Sequence, residues 1–222
     1  MSIKDLTGDS VATDEAMLTD LEARILGVLM EKQLTTPDAY PLTLNSLLLA
    51  CNQKTSREPI TNLNQGEVQR SLSNMQDRKL VDVDYGTRAA RYDQRLTRVL
   101  GVDKSVQALL NVLLLRGPQT AAELFTRTQR MFEFTSSASL EEKLQSLCEK
   151  TAPLIVRIPR NVGQREDRYM HLLCGAPDLA ALAAQAASSK KTTGNDLEER
   201  VAILEQQVHS LQQQVEQLLA QQ

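Results

Sequence analysis

One half-pattern occurs twice in this chain, and that repetition constrains the fold more than any single motif. Each copy runs helix, short helix, longer helix, strand, basic turn, strand. The first spans about Leu21 to Leu96 and the second about Val106 to Leu173. A short two-stranded hairpin is not stable alone, so each pair of strands must close against the helices that precede it.

In the first copy, Thr19 followed three residues later by Glu22 marks a capping box. Leu21, Ile25, Leu26, Val28, Leu29 and Met30 then predict a helix with a broad apolar face, ending near Lys32. Pro37 and Pro41 keep the next stretch irregular. Thr43 caps a short helix through Leu44, Leu47, Leu48 and Cys51. Residues 52–59, NQKTSREP, form a polar turn. Lys54 and Arg57 lie there, where a helix-turn-helix would cross a DNA backbone.

Asn64 and Glu67 repeat the capping signature before a third helix from about Gln65 to Lys79. Val68, Leu72 and Met75 face its core. Gln69, Arg70, Ser73 and Asn74 face away, and these residue types read base edges or hold phosphates. The plain alternative is an ordinary solvated face, since Glu67 and Asp77 dilute the charge. A strand from Leu80 to Asp84, a turn opening at Tyr85-Gly86-Thr87 and a returning strand to Leu96 complete the copy. Arg88, Arg91, Arg95 and Arg98 cluster there, which suits backbone or minor-groove contact. A merely solubilising hairpin is the other reading.

The second copy begins with the dense apolar run VQALLNVLLL, residues 106–115, stopped by Arg116-Gly117-Pro118. Thr120 and Glu123 cap a short helix, and Ser136 or Ser137 starts a third through Leu140, Leu144 and Leu147. The polar side of that third helix holds Glu141, Glu142, Lys143, Gln145 and Glu149, so it opposes phosphate contact. A strand from Leu154 to Pro159, a turn with Arg160, Arg165 and Arg168, and a strand from Tyr169 to Leu173 follow. This module is the weaker reader, contacting DNA mainly through its wing or docking protein.

Helices feeding a hairpin with a basic tip describe a winged helix-turn-helix. The fold class expected is therefore mainly α with small β-hairpins (α+β): tandem winged helix-turn-helix domains plus a C-terminal coiled-coil-like helix. The expected divisions are an acidic extension at 1–18, winged-helix domains at 19–98 and 99–175, an Ala-rich segment and linker at 176–196, and the terminal helix at 197–222. In that helix Leu197, Val201, Leu204, Val208, Leu211, Val215 and Leu218 alternate steps of four and three, a short heptad pattern favouring a parallel homodimer. A single amphipathic helix packed back on its own domain is the alternative.

Net charge is −3 over 222 residues, but its distribution matters more than its sum. Residues 54–98 carry 9 basic and 6 acidic residues, and residues 1–53 carry 3 and 8. Positive charge thus collects where recognition helix and wing are expected. Cys51, Cys148 and Cys174 lack CxxC spacing and read as free thiols. With only His171 and His209 beside them, no metal or cofactor site is expected. No catalytic residues, glycine-rich phosphate loop or HExxH is readable, so no enzyme activity is expected. The acidic N-terminus has no apolar core, and no run reaches membrane-span length. The expectation is a cytoplasmic protein.

LEARILGVLMEKQLTTPDAYPLTLNSLLLACNQKTSREP, residues 21–59, resembles the opening of the bacterial YceH-like family, also known as UPF0502 or DUF480. A third helix leading to LV, a Gly-containing basic wing ending near a Tyr, and a second wing like PRNVGQREDRYMHLL, residues 159–173, extend the likeness over about Leu21 to Gly175. Family members often carry a coiled-coil-like tail, which residues 197–218 match. The resemblance implies a tandem winged-helix fold. It brings no catalytic or binding role to its characteristic segments, here Thr35–Thr43 and Ala50–Pro59. Gln94 departs from it, because relatives commonly carry His there.

Two functions follow as expectations. The first is a dimeric protein bound to double-stranded DNA, a transcriptional regulator in type. It would read with Gln69, Arg70, Ser73 and Asn74, and grip with Lys54, Arg57, Arg88, Arg91, Arg95, Arg160, Arg165 and Arg168. The second is a winged-helix protein–protein adaptor that does not read sequence.

Overall fold

The computed structural model describes residues 17–86, 89–160 and 165–178. Thr19 starts helix α1, Asp20–Thr35, and its hydroxyl accepts from the Glu22 N–H while the Glu22 carboxylate accepts from the Thr19 N–H. The helix runs one turn's length beyond Lys32 to a 3-10 turn at Pro37–Ala39. Strand β1, Leu42–Thr43, leads directly into helix α2, Leu44–Cys51. Helix α3 is Gln65–Asp77, capped by the reciprocal Asn64–Glu67 pair. Strands β2, Val81–Tyr85, and β3, Ala90–Gln94, follow, then a short helix α4, Leu96–Leu100. The sheet is antiparallel in the order β1-β3-β2, with Leu42 opposite Tyr92 and Val83 opposite Tyr92 on the other side.

The second half holds helices α5, Lys104–Arg116, α6, Ala121–Thr128, and α7, Ser137–Cys148. Strands β4, Ile155–Ile158, and β5, Arg168–His171, pair antiparallel. Gln119 and Tyr169 exchange backbone hydrogen bonds just before α6. β1 meets β3 just before α2, so the internal repeat extends to a third backbone partner beside each hairpin. Strand β1 and helix α4 were not anticipated. A two-residue strand has no periodicity of its own, and α4 is one short turn stopped by Gly101 in the left-handed conformation at φ 61. The chain is thus a mixed α/β protein with helices and small antiparallel sheets.

Every element named above belongs to one compact unit that ends at Pro177. The two repeats therefore share a core. Residues 22–30 of α1 and 105–115 of α5 are buried without interruption, the condition of helices surrounded on all sides. Gly27 is where they pass closest. A Cβ placed there would lie 2.9 Å from Leu115 Cδ2 and 3.2 Å from Leu114 Cβ. Asn111, 1% exposed, donates through Nδ2 to the Gly27 carbonyl at 2.6 Å. A second polar tie joins α1, β3 and α5: Gln94 and Gln107 both donate to Gln33 Oε1, at 2.8 and 2.9 Å. No helix among the described residues is long and apolar enough to cross a membrane.

His171 closes β5 and is 5% exposed, and its Nδ1 meets no hydrogen-bond partner among the described residues. Burial pushes its pKa down to about 4, opposed only in part by the Asp20 charge. The unfolded chain takes up this proton near the ordinary value of about 6.5. Stability is therefore whole above that pH and falls as pH drops towards 4, because the unfolded state binds more protons in that window. The loss expected of wild type from His171 between about pH 7 and pH 4.5 is roughly 2–3 kcal/mol. Urea unfolding of wild type and His171→Gln at both pH values checks this. Parallel losses in the two proteins would exclude His171 as the cause.

Candidate nucleic-acid interface

Helix α3 turns Val68, Ser71, Leu72 and Met75 into the core. Gln69, Arg70, Ser73 and Asn74 all emerge on its exposed side. Arg70 Nε donates to the Gly66 carbonyl at 3.3 Å and Ser73 Oγ to the Gln69 carbonyl at 3.1 Å, both within the helix. Gln69 alone of the four also reaches a strand, and the helical repeat places the four exposed side chains together.

Among the described wing residues, Arg91 and Arg95 have internal partners. Strand alternation puts Val81, Val83 and Tyr85 on one face with Gln94, Tyr92 and Ala90. Gln69 Nε2 donates to the Tyr92 hydroxyl at 3.4 Å, so this is the side covered by α3. Asp82, Asp84, Arg91 and Asp93 share the opposite face. Arg91 is exposed there and donates through Nη1 to the Pro41 carbonyl at 2.8 Å. Arg95 Nε donates to Asp82 Oδ2 at 2.5 Å. Tyr40 donates to Asp93 Oδ1 at 2.6 Å, and burial with that bond pushes the phenol pKa well up. Arg88 lies outside the described residues.

Arg57 corrects the expectation of a backbone-gripping turn. Its side chain is 0% exposed. Nη1 and Nη2 donate to the Glu31 carboxylate at 3.2 and 2.6 Å, Nη2 also to Gln53 Oε1 at 3.0 Å, and Nε to the Ala50 carbonyl at 3.1 Å. Ser56 and Glu58 tie this turn to the second repeat, and Pro59 ties it to α1. Glu58 N–H donates to the Leu115 carbonyl at 2.8 Å, Arg116 Nη2 to Ser56 Oγ at 2.6 Å, and buried Arg24 through Nη2 to the Pro59 carbonyl at 2.6 Å. Ser56 sits at φ 61, a left-handed conformation costly for a residue with a Cβ. Its hydroxyl and carbonyl are both held by arginines, Arg116 and Arg57. Lys54 alone of the expected pair is exposed. Cys51 lies buried beside this cluster, and burial pushes its thiol up to about 12, so it is no nucleophile. Cys51, Cys148 and Cys174 are all free.

In the second repeat, Arg160 and Arg165 are exposed, with Arg160 Nη1 donating to the Arg165 carbonyl at 3.2 Å. Arg168 is half-buried and donates to the Pro118 carbonyl at 2.9 Å. Asp167 accepts from the Arg160 N–H and from Arg157, and these bonds hold its carboxyl below the usual range. Glu141, Glu142 and Gln145 of α7, and Glu149 at its C-terminal cap, are exposed. The heptad positions from Leu197 to Leu218 lie outside the described residues. Among the described residues, no group of three or more His, Cys, Asp and Glu side chains is placed to hold a metal ion. The sequence had missed the internal commitments of Arg57 and Arg95, whose partners lie 26 and 13 residues away.

The molecule thus belongs to the class of mixed α/β proteins in which an uncovered polar helix face stands beside a small sheet. A family model described as "Protein of unknown function, DUF480" matches residues 18–164, and the chain belongs to that family. A UPF0502 protein of Cellvibrio japonicus is 66% identical over 208 residues, covering 92% of this chain and 95% of the relative. UPF0502 proteins of Mesorhizobium japonicum and Stenotrophomonas maltophilia are 45% and 46% identical, each over more than nine-tenths of both chains.

Proposed function

We propose that this chain is a non-catalytic, DNA-binding protein of the tandem winged helix-turn-helix type, acting as a transcriptional regulator. The observation that carries the reading is the uncovered face of α3, where Gln69, Arg70, Ser73 and Asn74 are exposed together. Their donors and acceptors match base edges in a major groove, and Arg70 adds the charge that a phosphate attracts. Arg160 and Arg165 on the second hairpin extend the contact to the backbone. A homodimer coupled through the heptad segment belongs to the same proposal and doubles the number of contacts per assembly.

The test is binding to a random-sequence duplex across a salt series. Wild type is expected to bind at about 50 mM salt and to weaken steeply as salt rises. Arg70→Ala is expected to weaken binding and to lower the salt slope by roughly one. Absence of binding at low salt would reject the reading.

A second reading, a protein-docking adaptor, is favoured by other features. Leu49 and Ile60 are 64% and 62% exposed beside the turn between α2 and α3. The acidic face of α7 and the pairing of Arg95 with Asp82 also fit a protein partner better than a phosphate backbone. Affinity capture with wild type and a Leu49→Asp/Ile60→Asp variant separates the two: an adaptor loses its partner with that variant, whereas a DNA reader keeps its duplex.

A further inference from the structure

We propose that the first wing meets duplex DNA with an aromatic side chain, Tyr85, set against the minor groove. The inference rests on the DNA-binding reading and specifies its wing contact. Tyr85 is the last residue of β2 and is 75% exposed, the most open of the large apolar side chains among the described residues. It shares its strand face with buried Val81 and half-buried Val83, on the side where α3 covers Tyr92. The ring therefore continues the α3 side of the sheet past the end of the core. Its cross-strand partner is Ala90, and Gly86 and Ala89 adjoin it in the turn. Among the described residues these neighbours are small, and the ring stands exposed.

The charges of the described wing lie elsewhere. Arg91 emerges on the opposite face among Asp82, Asp84 and Asp93, with Nη1 on the Pro41 carbonyl. Arg95 is committed to Asp82. With α3 in a major groove, the α3 side of the hairpin faces the flank of that groove. There an aromatic ring packs on sugar edges or wedges at a base step, and its phenol hydroxyl meets the acceptors of the groove floor. The contact is uncharged, so it releases no counterions.

The experiment uses the full chain and a random-sequence duplex, with Tyr85→Ala, Tyr85→Phe and Arg91→Ala compared across a salt series. Tyr85→Ala is expected to weaken binding about tenfold with an unchanged salt slope. Tyr85→Phe is expected to keep most of the affinity, because the ring makes the contact. Arg91→Ala is expected to change affinity by less than about twofold, since its face points away. Thermal melting confirms that each exposed-site variant stays folded. If wild type binds and Tyr85→Ala binds equally well, or lowers the salt slope, the aromatic contact is overturned while the DNA reading stands. If wild type does not bind, both fall.

Discussion

Replacing Arg57 with alanine is expected to lower the unfolding free energy by roughly 3–5 kcal/mol. The guanidinium is wholly buried, and it forms a two-pronged pair with Glu31, whose side chain is 18% exposed. Removing it strands that carboxylate and also leaves the Ala50 carbonyl and Gln53 Oε1 without the donor they have now. Arg57→Lys keeps a charge but cannot reproduce the fork, so it is expected to fall between wild type and alanine. Lys54→Ala, three residues away and exposed, is expected to change stability by less than about 0.5 kcal/mol. Urea titrations of the three variants decide the matter. A stable Arg57→Ala protein that has lost only ligand affinity would return Arg57 to the surface role expected of its sequence position.

Replacing Gly27 with leucine is expected to cost about 3 kcal/mol or more. A Cβ at this position already meets Leu115 Cδ2 at 2.9 Å and Cγ at 3.0 Å, and Leu114 Cβ at 3.2 Å is anchored to the backbone. A full side chain must push α1 and α5 apart, and the Asn111 hydrogen bond to the Gly27 carbonyl goes with them. Gly27→Ala is expected to cost less. A methyl must move Leu115 and press Leu114 Cβ back by a few tenths of an ångström, a strain that alanine's gain of about 1 kcal/mol in helix propensity over glycine partly offsets. The contact is checked by coupling. Leu115→Ala alone leaves a cavity and costs about 2–5 kcal/mol, but together with Gly27→Leu the total is expected to be smaller than the sum. Additive costs would show that the two positions do not share the space.

The first prediction concerns a tie between α1 and the turn after α2, the second the joint between the repeats, and these long-range contacts were the least legible part of the chain. The helix starts were readable because a cap is a local device: Thr19 with Glu22, Asn64 with Glu67 and Thr120 with Glu123 bond across three residues. The third helix of the first repeat was readable because its apolar period separates Val68, Leu72 and Met75 from Gln69, Arg70, Ser73 and Asn74. Strand β1 was not, since two residues carry no alternation and owe their conformation to pairing with Tyr92 and Arg91. The wing arginines were readable as a cluster, but the bonds of Arg95 to Asp82 and of Arg91 to the Pro41 carbonyl were not, because those partners come from other strands and turns.

Family membership, the capped helix starts and the doubled order of elements are written in the sequence, because each depends on residues a few positions apart or on a long run of matching residues. Whether an arginine is a surface cation or an internal strut is not local information. Arg57 and Lys54 look alike in the string NQKTSREP. One is sealed against Glu31 and the other stands in solvent because α1 passes over only one of them. Gly27 likewise looks like an ordinary helix glycine until Leu114 and Leu115, from the second repeat, arrive beside it. The tertiary structure alone decided those two points. Burial and close approach are properties of pairs of distant segments, and the free energy of such a pair appears only once the chain has brought them together.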